Sequence, residues 1–460
     1  MVEGRIYKPV IQPERCHSCD VCLRGCPAEL IPEYRSEQRS LRGALYREKV
    51  QEKPSKNKIP LPPCQEACPI RQDVKGYVAL IARGNVREAL ELIREVNPLP
   101  AVCGFICHHP CEEACLRKGV DDPISIRLLK RFVAQYGDRA ERMKKGPKKK
   151  KHEKILVIGS GPAGLTAAND LCLRGYAVTI FEALPLLGGM LAVGIPEFRL
   201  PRETLRWEIQ AIRERGVEMS PNHPFYFNGK ETTFQKLGFD AVFLAIGAHR
   251  SVRFNIEGNH LEGVVPGLEF LRRIHLGGKP SLGERVVVVG GGNVAVDVSR
   301  SARRWGAKEV QMACVESRQE MPAIPEEVDE AVAEGIKIHF LASPVRVVGK
   351  GRKVAGIEFM RMSHEGMRGT KKKHPVRAKA GFFRLDADTV IAAIGQRVDR
   401  RALKGLETHP DGTLRVHPET GETSLKGVFA GGDVVTGPGW AIDAIASGKR
   451  GAEAIDQYLS

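Results

Sequence analysis

Lys154-Ile155-Leu156-Val157-Ile158-Gly159-Ser160-Gly161-Pro162-Ala163-Gly164 places four consecutive apolar residues directly before a G-x-G-x-x-G turn. Leu165, Ala167, Ala168 and Leu171 carry the apolar pattern on at helical spacing. A second apolar run, Ala177-Val178-Thr179-Ile180-Phe181, ends on Glu182, 23 residues after Gly159. Strand, glycine turn, helix, strand and acid in that order make a dinucleotide-binding βαβ unit. Gly159 permits the tight turn, Gly161 lets the backbone approach a pyrophosphate, and Gly164 lets the helix pack closely. The phosphates then sit at the helix N-terminus, and Glu182 accepts from ribose hydroxyls. The fold class is therefore α/β.

A second copy begins at Arg285. Val286-Val287-Val288-Val289-Gly290-Gly291-Gly292-Asn293-Val294-Ala295 reads G-x-G-x-x-A, followed by a helix through Val298 and Ala302 and a strand from Glu309 to Val315. Glu316 stands where an acid meets the adenosine ribose 2'-hydroxyl, which repels a 2'-phosphate and favours NAD(H) over NADP(H). Arg318, two residues on, tempers this because it could fold back onto a phosphate. A glycine-rich turn without a ligand is the alternative. Two further segments, Asp240 to Gly247 and Asp388 to Gly395, are similar strand-to-glycine units and predict crossings between two interleaved domains. Near the end, Gly427 to Asp433 places an acid after a strand, and Trp440 to Ala454 reads as an apolar helix. In a flavoprotein, Asp433 would hold the ribityl or pyrophosphate part of FAD, with the N-terminus of that helix directed at the isoalloxazine.

Ten of the twelve cysteines precede these folds. Cys16, Cys19, Cys22 and Cys26, with Pro27, give C-x2-C-x2-C-x3-C-P, the ferredoxin spacing of [4Fe–4S] ligation. Cys64 and Cys68 follow, the latter before Pro69, and then Cys103, Cys107, Cys111 and Cys115 at C-x3-C intervals. Ten thiols exceed the eight that two all-cysteine cubes require, which supports two clusters and leaves room for a third. Tetrahedral zinc suits C-x2-C pairs but does not account for two Cys-Pro steps or three thiols within seven residues. Disulfides fit poorly with a chain that shows no secretory signal. Cys172 and Cys314, alone in apolar segments, read as core residues.

At 460 residues, 42% hydrophobic and 27% charged, the chain has the size and composition of a multidomain globular protein. No run of about 18 apolar residues appears, so no membrane span is expected, and the N-terminus lacks an apolar targeting core, which makes the cytoplasm the default. The net charge is +16, part of it concentrated in Lys144-Lys145-Gly146-Pro147-Lys148-Lys149-Lys150-Lys151. A solvated linker and a docking site for an acidic electron-transfer partner are both open readings. Aromatic content is 6% and no nucleic-acid module is recognisable, so nucleic-acid binding is not expected. Between the cysteine groups, Arg71 to Val96 is helical in pattern, with Asn85 and Glu88 resembling a capping box.

From about residue 60 onward the chain resembles the small, beta subunit of glutamate synthase and its relatives. These include the large subunit of NADH-dependent ferredoxin:NADP oxidoreductase and the N-terminal part of dihydropyrimidine dehydrogenase. The residues that carry the resemblance are Cys64-x3-Cys68-Pro69, Asn97-Pro98 through Cys115, Gly159 to Gly164, Gly188-Gly189-Met190, Gly194-Ile195-Pro196-Glu197-Phe198-Arg199-Leu200-Pro201, the Gly290 fingerprint, Met321-Pro322 and Gly431-Gly432-Asp433. The resemblance implies a helical iron–sulfur domain over 1–150, then two Rossmann-like domains of glutathione-reductase type. The FAD domain is split over 151–282 and 387–460, with an NAD(H) domain inserted at 283–386. The implied cofactor-binding set adds Gly189, Gly247, Gly395 and Gly432 to the fingerprint residues. Relatives carry C-x2-C-x4-C-x3-C-P before the helical domain, of which Cys64 and Cys68 remain. The missing pair would come from the Cys16 to Cys26 run, across an insertion of roughly 37 residues. Relatives also draw a Gln or Glu ligand from the segment that here reads Ile124 to Arg131, where neither occurs, and NADP-dependent ones carry Arg-Arg where this chain has Val315-Glu316.

The expected function is an NADH-linked electron-transfer flavoprotein subunit, cycling electrons between NAD(H), FAD and two [4Fe–4S] clusters. Its partner would be a ferredoxin or a catalytic subunit such as an aldehyde oxidoreductase, an acyl-CoA reductase or the glutamate synthase large subunit, in a hetero-oligomer. No side chain is assigned an acid or base role, because hydride transfer needs positioning more than proton transfer. A self-contained reductase with its own small substrate and a non-enzymatic relay module are the alternatives.

Overall fold

The computed structural model describes residues 61–137, 150–228, 232–366 and 373–460. Cys16, Cys19, Cys22 and Cys26, and most of the lysine-rich stretch, lie outside the described residues. The chain divides into two compact units, Met1–Glu141 and Arg142–Ser460.

In the first unit, helices Val74–Ala82, Val86–Arg94, Pro100–Ile106 and Ile126–Tyr136 surround a small core of Val74, Tyr77, Leu90, Ile93, Ala101, Ile126 and Val133. The helical stretch expected from Arg71 breaks at Gly84, whose φ of +80° ends the first helix. Asp73 caps that helix, its side chain accepting from the Gly76 N–H at 2.8 Å. Asn85 does stand at the N-cap of the next helix, but its side chain makes no cap hydrogen bond, so the capping box is not formed. Pro100–Ile106 and Ile126–Tyr136 pack so closely that a methyl group on Gly104 would lie 2.6 Å from the Cα of Arg131.

The second unit holds two five-stranded parallel sheets. In the first, the strand order is Val428–Ala430, Ala241–Leu244, Lys154–Ile158, Ala177–Phe181, Glu218–Ser220. In the second it is Lys337–His339, Glu309–Ala313, Arg285–Val289, Thr389–Ala392, Val264–Pro266. The strand that leads into each glycine turn is central, which is why both read as unbroken apolar runs. Along Arg285–Val289 the faces alternate: Val286 and Val288 pack under helix Asn293–Arg304, and Val287 and Val289 pack against Val347, Ile357 and Phe359. Those last residues belong to a three-stranded antiparallel sheet, Ala342–Lys350, Lys353–Gly366 and Lys373–Asp386, that the sequence reading did not contain.

Two short strands, Arg250–Ser251 and Gln396–Arg397, pair antiparallel where the chain passes from the first sheet to the second and back. These are the crossings expected after Gly247 and Gly395.

Helix Ala441–Leu459 closes the first sheet's helical layer, and Asp456 anchors it. Lys151 Nζ at 2.7 Å, Arg174 Nη1 at 2.8 Å and Tyr176 Oη at 2.8 Å all meet its carboxylate. Burial alone would raise this carboxyl, but the three donors outweigh it and hold the group at about 2. A depressed carboxyl stabilises the fold above its unfolded value, about 4, and loses that contribution as pH falls through the folded value. Asp456→Asn should therefore destabilise the protein by about 1 kcal/mol at about pH 7, discounted for the partly exposed pair. Urea unfolding at about pH 7 and about pH 3 checks this: the gap between wild type and variant should narrow in acid.

Candidate functional site

The two glycine turns are built alike. Gly159 has φ +101° and Gly290 φ +142°. A methyl group on Gly159 would lie 2.3 Å from the carbonyl O of Ala245, and one on Gly290 would lie 2.3 Å from that of Ala393. The first glycine of each fingerprint is thus held against the end of the neighbouring strand-to-glycine unit. Gly164 packs on the turn itself, its missing Cβ only 1.9 Å from Gly159 O, whereas Ala295 has room for its methyl beside Gly290. The second glycines differ in kind: at Gly161 and at Gly292 an added Cβ meets nothing within 4 Å. Each also stands at the N-cap of a twelve-residue helix, Pro162–Leu173 or Asn293–Arg304, with no side-chain cap. Open space beside uncapped helix N–H groups is the arrangement that a pyrophosphate needs, so both turns fit a dinucleotide.

The two acids are placed differently. Glu182 is buried and already engaged: Oε2 accepts from Ser160 N at 2.9 Å and Ser160 Oγ at 2.5 Å, and Oε1 from Leu184 N at 2.9 Å. A carboxylate has further lone pairs, so a ribose hydroxyl can still be accepted. Glu316 lies over the second turn, its Oε2 2.5 Å from where a Cβ of Gly291 would be. That oxygen is buried and has no hydrogen-bond partner among the described residues. A buried acceptor left unmade is costly, and a ribose hydroxyl would satisfy it. Arg318, on the surface, pairs with Asp329.

Of the remaining predicted residues, Gly189 and Gly432 lie against the first turn. Gly189 has φ +54°, and a Cβ there would come within 2.9 Å of the Gly161 backbone. Gly432, with φ +76°, faces Ala163 in the first turn of helix Pro162–Leu173, and its N–H donates to Ser447 Oγ at 2.7 Å. Burial pushes the Asp433 carboxyl up to about 6, against the lowering effect of the Gly439 N–H. Gly247 and Gly395, at φ +66° and +123°, turn the chain toward the crossings. Next to Gly247 the sequence reading missed His249. Arg272 Nη2 donates to both its Nδ1 and its carbonyl O at 3.0 Å, tying helix Gly267–His275 to the crossing. Burial, with the Arg272 charge beside it, drives His249 down to about 4, so the ring is neutral near pH 7.

In the first unit Cys64, Cys68, Cys103, Cys107, Cys111 and Cys115 form no disulfide with one another, and Cys68, Cys103 and Cys111 are buried. Among the described residues no three potential ligands are drawn together at metal-binding distance. The surroundings nonetheless suit a thiolate-bound cluster. The His109 N–H donates to Cys107 Sγ at 3.4 Å, a bond that a thiolate accepts, whereas the Cys103 thiol donates to Asn97 Oδ1 at 3.9 Å, a bond that ionisation would remove. Burial pushes the Cys111 thiol up to about 12, so the thiolate needs a compensating positive charge. Lys130, 5% exposed, is one: burial alone would lower its ammonium, and the charges of Cys103, Cys107, Cys68 and Cys111 outweigh that and raise it. Once these sulfurs ionise to bind a cluster, a buried ammonium beside them would offset part of their negative charge. Cys172 and Cys314 are buried core residues, as read from the sequence.

Residues 153–448 match the pyridine nucleotide-disulphide oxidoreductase family model, and residues 46–142 match that of dihydropyrimidine dehydrogenase domain II, 4Fe-4S cluster. The chain belongs to the pyridine nucleotide-disulphide oxidoreductase family. It joins an FAD- and NAD(P)H-binding region to a 4Fe–4S domain. It is 43% identical over 425 residues to the NADP(+)-dependent formate dehydrogenase subunit beta of Moorella thermoacetica, covering 86% of this chain and 60% of that protein. It is 32% identical over 428 residues to the glutamate synthase [NADPH] small chain of Escherichia coli K12, covering 86% and 89%. To the NAD-dependent dihydropyrimidine dehydrogenase subunit PreT of the same organism it is 33% identical over 402 residues, covering 86% and 91%. The chain spans about three fifths of the length of the Moorella relative. In fold it resembles FprA from Mycobacterium tuberculosis, at TM-score 0.58 and 20% identity over 67% of this chain and 85% of that one. Among the described residues no helix is long and apolar enough to cross a membrane.

The contrast between first and second glycines is testable. Gly292→Val projects into open space, so it should leave the fold and FAD content intact while weakening NADH binding at least about tenfold, about 1.4 kcal/mol. Gly290→Ala meets a carbonyl and should instead cost about 2 kcal/mol of stability. Thermal unfolding and NADH titration of both variants separate the two effects.

Proposed function

We propose that this chain is the NADH-linked electron-transfer subunit of a larger oxidoreductase, passing electrons between NAD(H), FAD and two [4Fe–4S] clusters to or from a partner catalytic subunit. The observation that carries this reading is the pair of glycine turns, each with free space over its second glycine, on one chain with a cysteine-rich helical unit. Bound FAD would supply a hydride acceptor that can release its electrons one at a time. The chain's own residues then bind and orient. Gly161 and the start of helix Pro162–Leu173 receive the FAD pyrophosphate, Glu182 the adenosine ribose and Asp433 the ribityl side. Gly159, Gly164, Gly189, Gly247 and Gly432 shape that cradle. Gly290, Gly292, Ala295, Gly395 and Glu316 do the same for NAD(H). The ten cysteines from Cys16 to Cys115 supply the cluster thiolates, in the reducing conditions of the cytoplasm.

We draw the nicotinamide-binding insert slightly wider than 283–386, from one crossing to the other, because strands Val264–Pro266 and Thr389–Ala392 belong to its sheet. The names of relatives as beta or small subunits support a hetero-oligomer. Those names divide between NADP(+) or NADPH and NAD, so the coenzyme has to be argued from this chain. The orphaned Glu316 oxygen and the engagement of Arg318 by Asp329 favour NAD(H).

Glu316→Gln should lower kcat/KM for NADH about tenfold to a hundredfold, the effect of losing a charged hydrogen bond of about 1.5–3 kcal/mol. NADPH turnover should hold or rise. Anaerobic reduction of a viologen or ferricyanide by each coenzyme reads this out, and a wild-type preference for NADPH would refute the assignment.

A further inference from the structure

The segment Gly194-Ile195-Pro196-Glu197-Phe198-Arg199-Leu200-Pro201 belongs to the flavin-binding half, between helices Met190–Val193 and Arg202–Glu214. One end of this stretch is fixed at the flavin turn, where Gly189 rests on the Gly161 backbone. Its shape is held by Arg202, whose guanidinium donates to Leu191 O at 2.9 Å and Ile195 O at 2.5 Å. Its other end enters the nicotinamide-binding insert. Arg199 Nη1 meets Asp297 Oδ2 at 2.8 Å, Nη2 meets Glu327 Oε1 at 2.8 Å, and Nε donates to the same Glu327 oxygen at 3.0 Å. The Arg199 and Asp297 side chains are 9% and 5% exposed. Asp297 lies on helix Asn293–Arg304, five residues past Gly292, and Glu327 on helix Pro325–Ala333. Phe198 lies beneath the Arg304 and Arg300 guanidiniums at 4.0 and 4.7 Å, and Arg300 continues the network to Glu327, Glu330 and Glu334.

We propose that Arg199 is a positioning residue that fixes the orientation of the nicotinamide-binding insert against the flavin-binding half. The covalent joint between the two is slight: a pair of two-residue strands at the crossings. Such a joint leaves rotation free unless something distant from it holds the halves together. Arg199 does so by a planar, two-pronged contact with carboxylates from two helices, one of which starts at the coenzyme turn. Hydride transfer demands donor and acceptor at near contact, so a small rotation slows it steeply without changing either binding pocket. The inference rests on the hydride path proposed above.

The test is stopped-flow reduction of the FAD-loaded chain by NADH under anaerobic conditions, alongside amide hydrogen exchange, in wild type, Arg199→Leu, Arg199→Lys and Glu327→Gln. Arg199→Leu should lower the limiting rate of flavin reduction by at least about tenfold, with apparent NADH Kd within about threefold of wild type. Arg199→Lys, which keeps the charge but loses the fork, should fall between. Exchange should rise at 250–251 and 396–397, and reduction by dithionite should be unaltered. An unchanged limiting rate overturns the proposal, and so does a slowed rate with unchanged exchange at the crossings, since Arg199 would then act only locally. Should Arg199→Leu not fold, Arg199→Lys and Glu327→Gln are judged by the same two readouts. A wild-type flavin that NADH does not reduce would count against the hydride path itself, a result distinct from a variant that behaves like wild type.

Discussion

Everything in the larger unit depends on how closely the backbone of each fingerprint turn approaches the neighbouring strand. The Ala245 carbonyl stands 2.3 Å from where a Gly159 side chain would begin, and the Ala393 carbonyl stands equally close to Gly290. Only a residue without Cβ, in a positive φ conformation, fits there. That contact sets the entry angle of the following helix and so aims its uncapped N–H groups over the open space at Gly161 or Gly292. Dinucleotide binding in both halves follows from one steric condition met twice.

The same two carbonyls belong to the strand-to-glycine units from which the chain leaves one sheet and enters the other. The crossings are therefore adjacent to the two glycine turns. The structure answers with one contact at the crossing, His249 bound by Arg272, and others away from it, Phe198 and Arg199 set against the helices behind the second turn. In the cysteine-rich unit the governing term is charge. Ionising buried cysteines is costly, and Lys130, buried close to them, would offset part of that cost when they bind a cluster.

The α/β architecture was legible because each fingerprint residue has a local reason for its identity. Gly159, Gly161 and Gly164 do three different steric jobs within six residues, and Glu182 follows at a fixed remove. The similarity of Asp240–Gly247 to Asp388–Gly395 likewise announced the crossings. What escaped has no local signature. Arg199 lies in the Gly194–Pro201 motif, but its partners are 98 and 128 residues away, so no local spacing announces the contact it makes. The antiparallel sheet from Ala342 to Asp386 is a basic, alternating stretch whose purpose appears only when Ile357 and Phe359 are seen covering Val287 and Val289. Lys130 lies in the Ile124 to Arg131 segment, and its burial beside the cysteines shows only once the helices are packed. Asn85 had the sequence of a cap without forming the bond, since its backbone geometry left the side chain unengaged.

The central claim is a continuous electron path on one chain, from NADH through FAD to iron–sulfur centres. The most direct measurement is anaerobic titration of the chain, carrying its full FAD and iron, with NADH and then NADPH, following flavin bleaching and the EPR signals of reduced clusters. The account predicts bleaching of the flavin together with growth of cluster signals at lower concentrations of NADH than of NADPH. A flavin that neither coenzyme bleaches, or one bleached while the clusters stay oxidised at equilibrium with excess NADH, would contradict it.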